Sequence, residues 1–155
     1  MLEIIPRPQW YATSADEDVK LKEKNTLIPD IITMAATREG KRVFGILDAK
    51  YYTPILDGTP FGVPGVESIT KQFLYQTSYK EFVTAHGFNG VVNAFLVPLS
   101  GIEEPVRMGY VKFPYVIARE DPPFSNEIEM WGLPAEKVFA AYLYGSALST
   151  DCTSV

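Results

Sequence analysis

The chain has one cysteine and one histidine among its 155 residues. Cys152, alone among serines and threonines, offers neither a disulfide framework nor a zinc cluster, because either requires several thiols or imidazoles at short spacing. His86 likewise leaves little room for His-rich metal chemistry; placed just before Gly87, it suits a helix C-terminus, where the dipole favours a cation. Charge is sparse as well, with 21% of residues charged against 46% hydrophobic. No apolar run reaches the roughly 20 residues that a bilayer span needs. The opening MLEIIPRPQW lacks the basic-then-apolar order of a secretory signal. These absences lead to the expectation of a cytoplasmic protein with no membrane partner. Internal repeats, heptads and a glycine-rich phosphate loop are also missing, which excludes a built-in P-loop motor.

Three charged residues stand out inside apolar segments. TLIPDIIT at 26–33 carries Asp30, and VFGILDAKYY at 43–52 carries Asp48 and Lys50. With the period of two of a strand, Phe44, Ile46, Asp48 and Lys50 share one face while Val43, Leu47, Ala49 and Tyr51 share the other. Both faces are apolar up to Asp48, the pattern of a strand covered on both sides. Removing an isolated charge from water is costly, so the carboxylates and the ammonium are expected to line a cleft at a strand end. A hard cation such as Mg²⁺, with Mn²⁺ as a substitute, takes oxygen ligands and keeps several waters. Asp30, Asp48 and the backbone carbonyl of Ala49 can supply those oxygens, with Lys50 reaching the same phosphate or its attacking water. The alternative is a surface ion pair at a strand end with Asp30 as a turn residue after Pro29.

Pro29-Asp30, an intervening hairpin and Asp48-Ala49-Lys50 after four apolar residues resemble the PD-(D/E)xK nuclease signature. The words ILDAKYY, KQFLYQ and NAFLVP are similar to those of LlaJI-type restriction endonucleases, over roughly residues 26–144. The resemblance implies an α/β (α+β) fold with a restriction-endonuclease-like mixed sheet flanked by helices. It also implies a Mg²⁺-dependent DNA endonuclease acting in a larger restriction system, beside an McrB-like nucleotide-driven partner or a separate recognition domain. Two other readings stay open: a repair or resolvase-type nuclease that reads DNA structure, and a nuclease-derived interaction module without catalysis. Cutting both strands with one site per chain favours a homodimer.

From Val66 to His86 the spacing predicts one helix, with Pro64-Gly65 before it and Gly87 after it. Ile69, Gln72, Phe73, Gln76, Tyr79 and Val83 fall on one face, apolar except for two glutamines and a tyrosine. In the family this resembles, a helix in this position often turns a Gln or Lys toward the active site. That implies Gln76 as an accessory catalytic residue and Gln72 one turn earlier as a substrate contact. Lys71 and Lys80 are further phosphate candidates. The alternative has the glutamines bonded to neighbouring backbone and the lysines solvated.

A net charge of −5 opposes unaided DNA binding, because Lys and Arg contacts to phosphate carry most non-specific affinity. Arg38 and Arg42, with Lys41, lie between the two motif strands, and Lys20, Lys22 and Lys24 precede them; Arg38 and Arg42 are candidate DNA contacts or a solvated turn. Borrowed DNA binding is the economical expectation. Residues 1–25 read as a polar lead-in in which neither Glu17 nor Glu23 is assigned to the metal, 26–145 as the nuclease domain and 146–155 as a flexible tail. The missing upstream acid suggests a nuclease domain cut from a longer protein, or one that works without that acid. The turn-rich DGTPFGVPG at 57–65 is expected to be a mobile loop over the cleft, and Tyr51, Tyr52 and Phe61 either stack on bases or pack. Further strands are expected at 90–99, ending at Pro98, at 106–117 and at 127–133, and a last helix from Pro134 to about Tyr144.

Overall fold

The computed structural model of the chain describes residues 5, 9, 11–13, 18–20, 27–112 and 123–144. Glu17, Lys22, Glu23, Lys24, Cys152 and the tail at 146–155 lie outside the described residues. A small antiparallel ribbon, β1 (Tyr11–Thr13) with β2 (Asp18–Lys20), precedes the main sheet. That sheet contains β3 (Ile31–Ala36), β4 (Arg42–Ala49), β5 (Gly90–Leu99), β6 (Val106–Lys112) and β7 (Glu127–Pro134) in the order β3-β4-β5-β7-β6. The three inner strands β4, β5 and β7 are mutually parallel, and β3 and β6 run antiparallel at the edges. With helices α1 (Val66–Ser78), α2 (Lys80–Ala85) and α3 (Ala135–Tyr144), this is the mixed sheet flanked by helices that the sequence led us to expect.

Several boundaries differ from expectation, each for a local reason. β3 starts after Asp30, and Pro29 before it has no N–H to give to a ladder. β4 ends at Ala49, although the Lys50 N–H still bonds the Leu96 carbonyl at 2.8 Å. Pro98 lies inside β5 opposite Leu133, one residue from the strand end, where only the fraying ladder loses a donor. β6 is described to Lys112, and the rest of its expected span, 113–117, lies outside the described residues. Pro134 closes β7 directly before α3.

The helix expected over 66–86 is two helices. Thr77 Oγ1 donates to the Phe73 carbonyl at 2.9 Å and Ser78 Oγ to the Leu74 carbonyl at 2.8 Å, and such back-bonding loosens and bends helices. Tyr79 follows with ψ −1° and separates α1 from α2. His86 caps α2, with Nδ1 2.8 Å from the Phe82 carbonyl and its ring stacked on Phe82 at 4.1 Å.

The core lies between this helical layer and the sheet. Phe44 and Ile46 are buried, and Ile5, Tyr75, Tyr79, Val83 and Phe88 complete the cluster. Phe44 lies 5.2 Å from the Tyr79 ring and 5.3 Å from Phe88, within the range where tilted and edge-on pairs add to area burial. A second cluster of Phe73, Phe95 and Ile128 extends it across β5 and β7. Gly45, between Phe44 and Ile46, is opposite Thr33 on β3, and a Cβ there would collide with the Thr33 hydroxyl.

Candidate active site

Asp48 occupies the next position on the β4 face that buries Phe44 and Ile46, so it inherits the direction of the core while reaching the strand end. Its side chain is 17% exposed and that of Lys50 is 21% exposed, with Lys50 Nζ 2.6 Å from Asp48 Oδ2. This is an ion contact at close range: Oδ2 is buried and receives no aligned hydrogen bond from the described residues. Asp30, exposed just before β3, accepts a hydrogen bond of 3.1 Å from the Ala49 N–H through Oδ2. The open end of the β3–β4 hairpin thus brings together the two carboxylates and the ammonium singled out from sequence. Lys50 Nζ also lies 5.8 Å from the Phe95 ring centroid, over a neighbouring strand.

A tyrosine that the sequence reading left aside supports this corner. Tyr75, 5% exposed, donates its hydroxyl to the Ile28 carbonyl at 3.1 Å, which ties the Pro29-Asp30 segment to α1. Burial pushes the Tyr75 phenol up, the negative charge of Asp48 adds to this and Lys71 opposes it, so the ring lies within electrostatic reach of the pair. A legible signal existed: Tyr75 stands between Gln72 and Gln76, and a buried tyrosine needs a partner for its hydroxyl. Tyr52 is also raised by burial, with Lys50 lowering it and Asp48 raising it.

A buried amide group lies between α1 and β5. Asn93, 3% exposed on β5 opposite Ile46, donates through Nδ2 to the Gln72 carbonyl at 3.1 Å and to Gln76 Oε1 at 3.3 Å. Gln76 Nε2 donates to the Ser125 carbonyl at 2.8 Å, so both its ends are engaged by neighbours. Gln72, 1% exposed, has no hydrogen-bond partner for its side-chain amide among the described residues. Asn93 was itself visible as an amide in the apolar run GVVNAFLVPL.

The remaining candidates are dispersed. Lys71 pairs with Glu67 on α1 at 2.6 Å; their hydrogen bond lowers the Glu67 carboxyl and raises the Lys71 ammonium. Lys80 Nζ lies 6.0 Å from the Phe124 ring. Arg38 is exposed in the β3–β4 turn, and Arg42 begins β4, six residues or about 20 Å before Asp48. Closeness in sequence to the motif therefore places both arginines at the opposite end of the hairpin. Arg42 is committed there: Nη1 donates to the His86 carbonyl at 2.5 Å, and the guanidinium lies 4.6 Å over Phe88.

Among the described residues no group of three or more His, Cys, Asp or Glu comes together. A cation at Asp30 and Asp48 would be completed by backbone, water and phosphate oxygens, and the buried Asp48 Oδ2 without an aligned donor suits a hard oxygen-seeking ion. No described helix is long and apolar enough to cross a membrane.

No solved structure gives a significant match to the chain. It is 38% identical over 152 residues to the Type II restriction enzyme BsuMI component YdjA of Bacillus subtilis (strain 168). That alignment covers 95% of this chain and 29% of the relative, so the chain spans under a third of the relative's length. The profile of the LlaJI restriction endonuclease family matches residues 2–133, which include Asp30, Asp48, Lys50 and the whole five-stranded sheet to within one residue of its end, and the chain belongs to that family.

Proposed function

We propose that the chain is a Mg²⁺-dependent DNA endonuclease unit of PD-(D/E)xK type that hydrolyses phosphodiester bonds within a restriction system. The observation that carries this reading is the meeting of Asp30, Asp48 and Lys50 at one strand end, with Asp30 bonded to the Ala49 N–H and Lys50 2.6 Å from Asp48. Asp30 and Asp48 hold the ion, with the Ala49 carbonyl as a third protein oxygen. When bound, Mg²⁺ or Mn²⁺ supplies Lewis-acid charge and lowers the pKa of its water. Lys50 orients the attacking water by hydrogen bonding and stabilises negative charge that develops on the phosphate oxygens. The Phe95 ring, 5.8 Å from the ammonium, flanks it on the neighbouring strand.

The relative named above is a component of a restriction enzyme, and the net charge of −5 is poorly suited to unaided duplex binding. Recognition of DNA is therefore assigned to a further subunit or domain, of which an McrB-like nucleotide-driven partner is one form. The test is cleavage of plasmid DNA by the chain, alone and with added restriction components, in Mg²⁺ and in EDTA. Nicking or linearisation that requires Mg²⁺ and disappears in Asp48→Asn supports the reading. Cleavage by Asp48→Asn at the parent's rate refutes it. Isothermal titration with Mn²⁺ separates enzyme from inactive module, since binding should weaken in Asp30→Asn and Asp48→Asn.

A further inference from the structure

The turn-rich loop between β4 and α1 is braced. Ile55 and Phe61 exchange two backbone hydrogen bonds of 2.9 and 3.0 Å. Leu56 lies against β6, where a Cβ added at Gly109 would stand 3.0 Å from its Cδ1. Gly62 turns the chain at φ +63°, with the Thr53 carbonyl 3.3 Å from the place of an added Cβ. Beside the loop is a cavity of about 170 Å³. Its floor includes the buried Phe95, Ile128 and Met130, and its rim the exposed Leu56, Val63 and Tyr110. An apolar cavity of roughly 150 Å³ accepts benzene, so this one has room for a single aromatic ring.

A ring of that size stands on the same loop. Phe61 is 73% exposed and directly follows Pro60, which lines the cavity. With Ile55, Leu56, Val63, Val66 and Tyr110 also exposed, the region presents on the order of 600 Å² of apolar surface, the upper end of what monomers show. Two copies would cover about 1,200 Å² between them, where specific interfaces begin. Asp57 is the single charged residue of 53–65, and Arg107 and Lys112 on β6 are already paired with Glu129 and Glu127. Nothing on the patch therefore calls for a partner of opposite charge. A ring and a cavity on one patch are what a two-fold pair requires, because an axis passing between them brings each ring over the other copy's cavity. A partner of different sequence would need only one of the two.

We propose that this patch is the interface of a symmetric dimer, in which Phe61 of each copy fills the cavity beside the corresponding loop of the other. The cavity floor includes Phe95, whose ring lies 5.8 Å from Lys50 Nζ, so the interface adjoins the candidate active site. One consequence rests on the nuclease reading: pairing brings two such sites into one particle, as cutting both strands of a duplex requires. Loss of a ring from the centre of an interface weakens association roughly 30-fold, and a symmetric variant loses two at once.

The experiment is sedimentation velocity of the 155-residue chain without DNA or divalent metal, from about 1 to 300 μM, the range that suits a small interface. The parent should pass from monomer to dimer. Phe61→Ala should stay monomeric, with a urea midpoint close to the parent's because the ring is exposed in the single copy. Val63→Glu, which sets a charge on the cavity rim, should also stay monomeric. Mixed in equal amounts, the two variants should associate again, more weakly than the parent, because one chain keeps its ring and the other its cavity. A parent that stays monomeric, a dimer that survives either substitution, or a mixture that behaves as its separate components would each overturn the proposal. Plasmid cleavage in Mg²⁺ is read separately. If the chain pairs through Phe61 and cuts nothing, alone or with added restriction components, the interface stands and the nuclease reading falls. If a monomeric chain cuts DNA, the interface falls while the nuclease reading stands.

Discussion

The two ends of β4, about 20 Å apart, treat their polar groups in opposite ways. At the first end Arg42 is bonded to the His86 carbonyl and lies over Phe88, its N–H bonds Asn89 Oδ1 at 2.8 Å, and Phe44 packs against the rings of Tyr79, Phe82 and Phe88. At the second end Asp48 Oδ2 has an ion contact without an aligned donor, and Tyr51 stands in solvent. Buried polar groups are normally satisfied, and each exception asks for an explanation. One strand therefore serves as scaffold where its groups are saturated and carries the candidate site where they are not.

The sharpest way to break this contrast is to damage each end and read both stability and cleavage. Phe44→Ala should lower unfolding free energy by about 3–5 kcal/mol in urea titration, as buried aromatic truncations do. Lys50→Ala should instead slow cleavage by on the order of 10²–10³ in single-turnover assays, with the urea midpoint close to the parent's. Arg42→Ala should cost about 0.5–1 kcal/mol of stability, because its charged hydrogen bond is exposed to solvent, while the cleavage rate of the folded fraction stays unchanged. A slower rate in folded Arg42→Ala would mean that the far end also contacts substrate. Tyr75→Phe removes only a hydroxyl, so about 0.5–1.5 kcal/mol of stability is expected, with a weaker Mn²⁺ titration because the Asp30 segment loses its tie to α1.

The smallest effect concerns alkaline pH. Burial raises the Tyr79 phenol above its ordinary value of 10.0, so the folded state holds this proton more tightly than the unfolded chain does. Its stabilising contribution is complete below the unfolded value and declines as pH rises toward and through the folded one. Urea midpoints should therefore fall above about pH 10, and Tyr79→Phe should flatten that fall.

Asp30, Asp48 and Lys50 were legible because charge inside an apolar run has few physical explanations, and period two placed Asp48 beside Ile46. The arginines were harder to place. Closeness in sequence suggested closeness in space, but an antiparallel hairpin sends its turn to the far end of both strands. The division of the helix at Tyr79, just after the back-bonded hydroxyls of Thr77 and Ser78, leaves no mark in the apolar periodicity. Tyr75 was missed because the apolar stripe was drawn through Gln72 and Gln76, one position aside from it. The placement of β7 between β5 and β6 has no local signature, since strand pairing is decided by the whole sheet.

Gly45 and Thr33 give the hairpin an alignment key. A Cβ at position 45 would displace the Thr33 hydroxyl from where it now stands, so a slip of one residue would disturb this close fit. The same slip would turn Asp48 to the opposite side of the sheet from the one it now shares with Ile46, and the Ala49 N–H would lose its alignment with Asp30. The spacing of the two acids is thus gauged three residues before Asp48, by a glycine that takes no part in chemistry.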